Sequence, residues 1–381
     1  MVSLIGHQVA ILKHHSLGQA GVGHLWDEKS TTLSLVLIIL RKDVVTMTCW
    51  RAIYGTLVVL AITACLCMSQ EAVPSSSVER QSLDEAWWTG PMLAASAATL
   101  PRGHFLIEPY FYDVSVQGHY DGNGNRHSAT HANGYGSLTY LLYGLADRVS
   151  VGLIPVAGLN TLRGTNSGGG MGDVSLQGQY RLTQFRPGNW IPTTSVVLQE
   201  TLPTGKYDRL GARPNDGMGS GAWTTTVAFY SQKYFWLPNG RILRGRVDVS
   251  ESFSSNVTVH GVSVYGTETG FSGHAQPGSS FFLDVAGEYS LTRSWVLALD
   301  VTYRYGANTR VTGSTIPDPG SGQNPAGVQL DSGSSHAFGL APAIEYNLNR
   351  NLGLLIGVRM IPAGRNTTAT ITPAVAINFV H

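Results

Sequence analysis

The sequence predicts an all-β protein, a transmembrane antiparallel β-barrel of the outer-membrane type with about twelve strands. Only 13% of the residues are charged and 43% are hydrophobic, whereas soluble domains carry roughly a quarter charged residues. After residue 70 no run of about 20 apolar residues follows, so spanning helices do not explain the low charge. Forty-five Gly and sixteen Tyr instead fit many turns and amphipathic strands.

Strict alternation of apolar and polar residues recurs along the chain, as in SWVLALDVTYRYG. One face of this segment is apolar and carries Trp295, Leu297, Leu299, Val301, Tyr303 and Tyr305. The other face includes Asp300 and Arg304. Alternation over about 10 residues is typical of a membrane-spanning β-strand. The strands of a soluble β-sandwich also alternate. The lengths of the connections between strands therefore have to distinguish a membrane barrel from a sandwich.

Twelve strands are expected, an even number, and their connections alternate between short and long. The strands are expected near 104–117, 131–144, 147–158, 171–183, 193–203, 219–232, 241–253, 279–290, 294–307, 334–347, 351–361 and 367–380. Short turns follow Tyr143, Tyr289 and Tyr346, whereas loops are expected at 254–278 and 308–333. Short periplasmic turns and long external loops are the plan of an outer-membrane barrel. Phe379, close to the C-terminus, resembles the terminal aromatic by which the barrel-assembly machinery recognises its substrates.

The domain organisation is predicted from the N-terminal composition. Residues 47–69, MTCWRAIYGTLVVLAITACLCMS, have the basic, apolar and small-residue regions of a secretory signal peptide. Residues 1–46 are interpreted as an over-called upstream extension, with a genuine double-signal segment as the alternative. Residues 70–103 are expected to form an N-terminal arm or plug, and residues 104–381 the barrel.

Cysteine and charge usage exclude several kinds of site. Cys49, Cys65 and Cys67 all precede residue 70, so the barrel has no disulfide, cysteine metal site or cysteine nucleophile. The tetrapeptide ending at Cys65 resembles a lipobox, and ordinary cleavage near Ser69 is the favoured alternative. The formal net charge of +1 gives no reason to invoke nucleic acid. We expect no metal and no cofactor.

Alternation also assigns a set of polar side chains to the barrel interior. They are Glu108, Asp173, Gln177, Gln179, Arg181, Arg244, Arg246, Asp248, Asp284, Glu288, Asp300, Arg304, Glu345 and Arg359. Acids and bases are nearly balanced in this set. One interpretation is a pore lining or ligand site. The other is a filled lumen in which Arg–carboxylate pairs brace the wall.

The segment before the first strand carries two adjacent tryptophans, Trp87 and Trp88, within an otherwise Ala-rich run that ends at Leu100-Pro101. A disordered periplasmic linker would leave these aromatics with nothing to bury against. We therefore expect residues 82–100 to form a short plug in the lumen. An arm at the membrane interface, where Trp is also favoured, is the alternative.

Barrel enzymes acting on lipids need a Ser, a His and an orienting polar group on the external face. Ser335 and His336 are adjacent, but adjacent residues of a strand point to opposite faces. They cannot serve as nucleophile and base. No catalytic residue is therefore predicted, and a structural or adhesive barrel remains a further alternative.

Two phrases go beyond general barrel features. In GGGMGDVSLQGQYRLT (168–183) a Gly-x-Gly-Asp strand opening at Gly170, Gly172 and Asp173 is followed by Tyr180. In VVLQETLPTGKYDRLG (196–211) Pro203, Thr204 and Gly205 form a Pro-Thr-Gly loop. Together with TLPRGHFLIEPYFYD (99–113), they resemble the outer-membrane transporters of the phenol-degradation meta-pathway family.

The resemblance covers roughly residues 99–381. It implies an outer-membrane channel in which small hydrophobic or aromatic solutes diffuse passively, in contact with outer-membrane lipids and assembled by the barrel-assembly machinery. It supplies no catalytic residues. The oligomeric state and the direction of transport stay open.

Overall fold

The computed structural model describes residues 79–162, 164–316 and 324–381. The predicted upstream extension (1–46), the signal peptide (47–69) and the first part of the N-terminal arm (70–78) lie outside the described residues. The described chain begins with a nearly extended segment that contains one short 3-10 helix, Leu83–Glu85. Among the described residues, no helix is both long and apolar enough to cross a membrane.

Twenty β-strands follow in the described part of the chain. They are β1 (Phe105–Tyr120), β2 (Arg126–His127), β3 (Ala132–Ala146), β4 (Val149–Ile154), β5 (Val156–Leu162), β6 (Thr165–Asn166), β7 (Gly170–Met171), β8 (Val174–Thr183), β9 (Thr193–Leu202), β10 (Thr224–Trp236), β11 (Ile242–Ser254), β12 (Val257–His260), β13 (Phe271–Gln276), β14 (Ser280–Ser290), β15 (Trp295–Gly306), β16 (Arg310–Thr315), β17 (Ala326–Asp331), β18 (Ser335–Asn347), β19 (Leu352–Arg365) and β20 (Thr367–Val380).

The barrel wall within the described residues consists of twelve antiparallel strands, with β4 and β5 forming one broken strand. In order they are β1, β3, β4 with β5, β8, β9, β10, β11, β14, β15, β18, β19 and β20. The wall closes because β1 pairs with both β3 and β20. Closure leaves no unpaired strand edge in the bilayer. The predicted fold class and strand number are confirmed.

Side chains alternate strictly between the two faces of the wall. On β15, Leu297, Leu299 and Val301 are 42–47% exposed, whereas Asp300 between them is fully buried. Exposed apolar residues and buried polar residues invert the pattern of a soluble protein, as expected where lipid covers the outer face. At the short-turn end, the rings of Trp295 and Tyr346 lie 4.6 Å apart. Aromatics at this position mark the membrane interface.

Several strand bounds differ by three to five residues from the sequence-based expectation, and two of these differences have a structural reason. The strand expected at 147–158 extends to Leu162 and breaks at Pro155, where the missing N–H cannot contribute to the ladder. The strand expected at 219–232 begins only at Thr224. Residues 219–222 instead belong to a loop in which Ala222 is fully buried.

The two long connections expected as loops contain a second sheet. Strands β12, β13, β16 and β17 pair in that order into a four-stranded antiparallel sheet. Its core contains Val257, Val259, Phe271, Ala275 and Val311. These strands are only four to six residues long. They form one sheet because β13 of the first connection pairs with β16 of the second. Short strands of this kind give a weak periodic signal.

Candidate functional site

A single segment, residues 81–100, runs along the inner face of the barrel wall near its periplasmic end. We call it the strap. It starts at the β10–β11 turn, where the backbone N–H of Gln81 donates to the Gly240 carbonyl at 3.0 Å. It ends beside the β3–β4 turn, where the Thr99 hydroxyl donates to the Asp147 carbonyl at 2.8 Å. Both ends of the strap therefore lie at the short-turn end of the barrel.

Three carboxylates of the wall bind backbone N–H groups of the strap. Glu345 accepts from Thr89 at 2.7 Å and from Gly90 at 3.1 Å. Asp300 accepts from residues 92, 93 and 94 at 3.0, 3.3 and 3.0 Å. Asp248 accepts from Ala95 at 2.6 Å. These six hydrogen bonds hold the middle of the strap to the wall.

Uncharged polar side chains of the wall continue this contact along the C-terminal part of the strap. Gln232 accepts from the Ala97 N–H at 3.2 Å, and Gln179 donates to the Ser96 carbonyl at 2.9 Å. Ser150 accepts from the Leu100 N–H at 2.9 Å. These partners come from β10, β8 and β4, whereas the carboxylates come from β18, β15 and β11. The strap is thus held by about half of the wall.

Two arginines and one glutamate form an ionic cluster beneath the strap. Glu288 binds the Arg244 guanidinium through both carboxylate oxygens, with Nε at 2.6 Å from Oε2. Arg246 Nε lies 3.0 Å from the same Oε2, and Arg246 Nη1 donates to the Ala94 carbonyl at 2.9 Å. All three side chains are buried. Pairing offsets the desolvation cost of these charges, and Arg246 joins the cluster to the strap.

The two tryptophans of the strap each stack on an arginine. The Arg293 guanidinium lies 4.6 Å from the Trp87 ring centroid, and that of Arg244 lies 4.5 Å from Trp88. Trp88 also packs edge-on against Tyr234, with ring centroids 6.1 Å apart. Such cation–π contacts contribute about 0.5–2 kcal/mol each, depending on desolvation.

Among the described residues, no hydrogen bond joins the remaining lumen candidates to the strap. Asp284 is fully buried, and neither of its carboxylate oxygens has a hydrogen-bond partner among the described residues. Arg359 is 4% exposed, and the Arg304 guanidinium lies 5.6 Å from the Phe282 ring. Glu108 accepts from Asn378 at 3.0 Å. Gln177 and Arg181 are half-buried on β8.

Asp173 differs from the other candidates because its carboxylate binds a loop. It accepts from the backbone N–H of Gly205 at 2.9 Å and from both the N–H and the hydroxyl of Ser220 at 2.7 Å. A Cβ on Gly219 would lie 2.4 Å from the Gly205 carbonyl oxygen, so only glycine fits this contact. The Gly-x-Gly-Asp and Pro-Thr-Gly phrases therefore meet, and Asp173 anchors the loop at 203–222.

Sequence reasoning overlooked several residues that hold the strap. Alternation places Gln232, Ser150 and Asn347 on the inner face. The sequence does not distinguish an uncharged polar residue that binds the strap from one that merely lines the lumen. Asn347 donates to the Trp87 carbonyl at 3.2 Å and accepts from the Thr89 hydroxyl at 3.0 Å.

Comparison with known proteins identifies one matching family and several solved structures to which the chain is similar. The family model described as "Putative MetA-pathway of phenol degradation" matches residues 109–372. No curated protein matches the chain at the sequence level. A crystal structure of an outer membrane channel from Pseudomonas putida F1 is similar with a TM-score of 0.58 and 14% identity, covering 76% of this chain and 100% of that one. This likeness shows the fold.

Two further structures match with lower scores. The β domain of a Bordetella autotransporter has a TM-score of 0.39 and 10% identity, covering 73% of this chain and 99% of its own. The toluene transporter TbuX of Ralstonia pickettii has a TM-score of 0.30 and 10% identity, covering 80% of this chain and 99% of its own. Neither score is high enough to carry an argument.

Proposed function

The chain belongs to the MetA-pathway of phenol degradation family, and from this premise we propose that it is a channel through which small hydrophobic or aromatic solutes diffuse passively. Its closed, lipid-facing barrel is a bacterial outer-membrane barrel. Passive diffusion needs a concentration gradient and a lumen that is continuous while the channel is open, and the closed wall encloses such a lumen once the strap is withdrawn.

One observation carries the proposal: a segment that belongs to no strand of the wall, the strap, occupies the lumen at its short-turn end. The wall there contributes small inward side chains, among them Ala298, Ala341, Ala343 and Ala376, and Met92 of the strap packs against them. In a small barrel, side chains of the wall itself fill the interior. Here the strap takes that place. If it leaves, the lumen there is lined by these alanines, by larger side chains such as Tyr110 and Leu355, and by the polar lumen candidates.

We infer that the strap is the plug of the resting channel. Support comes from its buried contacts: Met92, Ala94 and Ala97 are at most 4% exposed. An arm at the membrane interface would instead expose these side chains to lipid. Because both ends of the strap lie at the periplasmic end, a shift toward the periplasm can withdraw it without unfolding the wall.

The enzyme alternative has weaker support. His336 Nδ1 lies 2.8 Å from the Tyr303 hydroxyl, a contact that orients the ring but brings no serine hydroxyl to it. Ser335 precedes it on the same strand and points to the opposite face. A structural or adhesive barrel would have no need for a strap held by buried charges. Contacts with lipid, the assembly machinery and other copies stay as expectations.

Uptake by cells tests the proposed function. Initial uptake of radiolabelled toluene would be measured in de-energised cells of a deletion strain, with and without the protein. We expect faster entry with the protein and no dependence on membrane energisation. Phospholipid hydrolysis would be assayed in the same membranes. Hydrolysis without faster entry would contradict the channel and favour the enzyme.

A further inference from the structure

The outer face of the wall changes from apolar to basic at the external end of β18 and β19. Leu340 and Phe338 of β18 are exposed and belong to the apolar band that faces lipid. His336 is the next residue of β18 on this face, and it pairs with Arg365 of β19. Directly paired residues of neighbouring antiparallel strands have their side chains side by side on one face. A histidine and an arginine therefore lie together where the apolar band ends.

Two tyrosines of β15 hold the His336 ring in this position. The Tyr303 hydroxyl lies 2.8 Å from His336 Nδ1, and the Tyr305 ring centroid lies 5.2 Å from that of His336. When the hydroxyl donates to Nδ1, the proton of the neutral imidazole is on Nε2. Among the described residues, Nε2 has no hydrogen-bond partner. Its N–H is therefore available to an acceptor outside the protein.

The Arg365 guanidinium is an exposed cation. None of the ion pairs within the described residues includes it. The β1–β2 turn is its neighbour, because a Cβ on Gly124 would lie 3.8 Å from Arg365 Cγ. The acid of that turn, Asp121, is already bound within the turn, where it accepts from the Asn125 N–H at 2.9 Å and lies 3.0 Å from His127 Nε2. The donors of Arg365 are thus free for an anion.

Another part of the outer face carries acids at its external end. Glu200 lies two residues beyond the exposed Leu198 on β9, and Glu251 lies two residues before the exposed Phe253 on β11. Alternation places both carboxylates on the lipid-facing side, and Glu200 accepts from the Thr225 hydroxyl at 2.6 Å. The outer rim therefore differs in charge between the β9–β11 side and the β18–β19 seam, and an anion is favoured at the seam.

We propose that His336 and Arg365 bind the phosphate headgroup of an outer-leaflet lipid whose acyl chains lie along Phe338 and Leu340. The guanidinium fork matches the geometry of phosphate oxygens, and the imidazole N–H adds a second donor. Basic residues at the edge of an apolar membrane surface attract anionic headgroups. A soluble anion would contact the two donors alone, whereas a lipid also covers the apolar band below them. The proposal does not depend on solute transport.

Native mass spectrometry of the detergent-solubilised protein tests the site. Wild type would be incubated with diphosphorylated lipid A, or with dephosphorylated lipid A that has the same acyl chains. We expect wild type to retain the phosphorylated lipid about 10-fold more strongly, which is the factor for one hydrogen bond to a charged group. Equal retention of the two lipids would overturn the proposal.

Single substitutions assign the preference to the two residues. Arg365→Gln and His336→Phe should each remove most of it, since each deletes donors, and Phe keeps a ring beside Tyr305. Arg310→Gln is the matched control, because Arg310 is an exposed arginine of the external sheet that pairs with Asp331 at 3.4 Å. Heat-modifiable migration on gels checks that each variant is folded. An unchanged preference in either wall variant, or an equal loss in the control, would overturn the assignment.

Two further measurements distinguish the lipid from other occupants of the patch. Excess inorganic phosphate should leave the bound lipid in place, because free phosphate has no acyl chains to cover the apolar band. Displacement by inorganic phosphate would assign the patch to a soluble anion and overturn the proposal. A dimer that forms without lipid A and is lost in Arg365→Gln would assign the patch to a second copy of the chain and would also overturn it.

Discussion

Replacing Asp300 by Asn should loosen the strap without changing the shape of the wall. Asp300 accepts N–H groups from three consecutive strap residues at 3.0–3.3 Å. The amide of Asn keeps one acceptor oxygen and turns its –NH₂ toward the N–H groups of the strap. At least one charge-assisted hydrogen bond is lost, which is worth about 1.5–3 kcal/mol. The population of withdrawn strap should therefore rise by a factor of about 10–150.

Planar-bilayer recording measures this population as open probability. Asp113→Asn is the matched control, because Asp113 accepts hydrogen bonds from Asn133 at 2.9 and 3.0 Å and has none with the strap among the described residues. We expect more frequent openings for Asp300→Asn, and control openings like those of wild type. Equal open probability in all three proteins, with each barrel correctly folded, would refute the role of the carboxylate in holding the strap.

Three further predictions concern the wall, the external loop and the response to pH. Leu297→Arg places a cation on the lipid face and should cost about 2–4 kcal/mol of stability in a urea titration, whereas no loss would reverse the assigned faces. Asp173→Asn should speed proteolytic cleavage of the loop at 203–222, because Ser220 loses two hydrogen bonds to a charged acceptor; an unchanged cleavage rate would contradict the anchor. The His127 side chain, followed by the backbone N–H of Asn125, lowers the pKa of Asp121 below its usual value. The hydrogen bonds that the Asp121 carboxylate accepts should therefore order the loop at 121–125 above about pH 4 and be lost as the pH falls further. A spin label at position Asn123 whose mobility did not change with pH would contradict this.

The sequence predicts the wall well because each spanning strand carries its own signal. SWVLALDVTYRYG alternates over its whole length, and β15 matches it closely. Alternation follows from lipid outside and polar groups inside, so it can be read without knowing the neighbouring strands. The same logic assigned Asp300 and Glu345 to the interior, where both are fully buried.

The contacts of the site follow from information that no local pattern contains. The strap binds through backbone N–H groups, which every non-proline residue possesses, and its partner Glu345 lies about 255 residues further along the chain. The two tryptophans suggested a buried segment but not its path. The external sheet joins two distant connections, so it also escaped sequence reasoning.

Deletion of residues 82–98 tests most directly the central claim that a strap closes an outer-membrane channel. Single-channel conductance of the deletion variant would be compared with that of wild type in planar bilayers, with heat-modifiable migration on gels as the check of folding. We predict a higher conductance from a correctly folded barrel. A correctly folded deletion variant with unchanged conductance would contradict the claim.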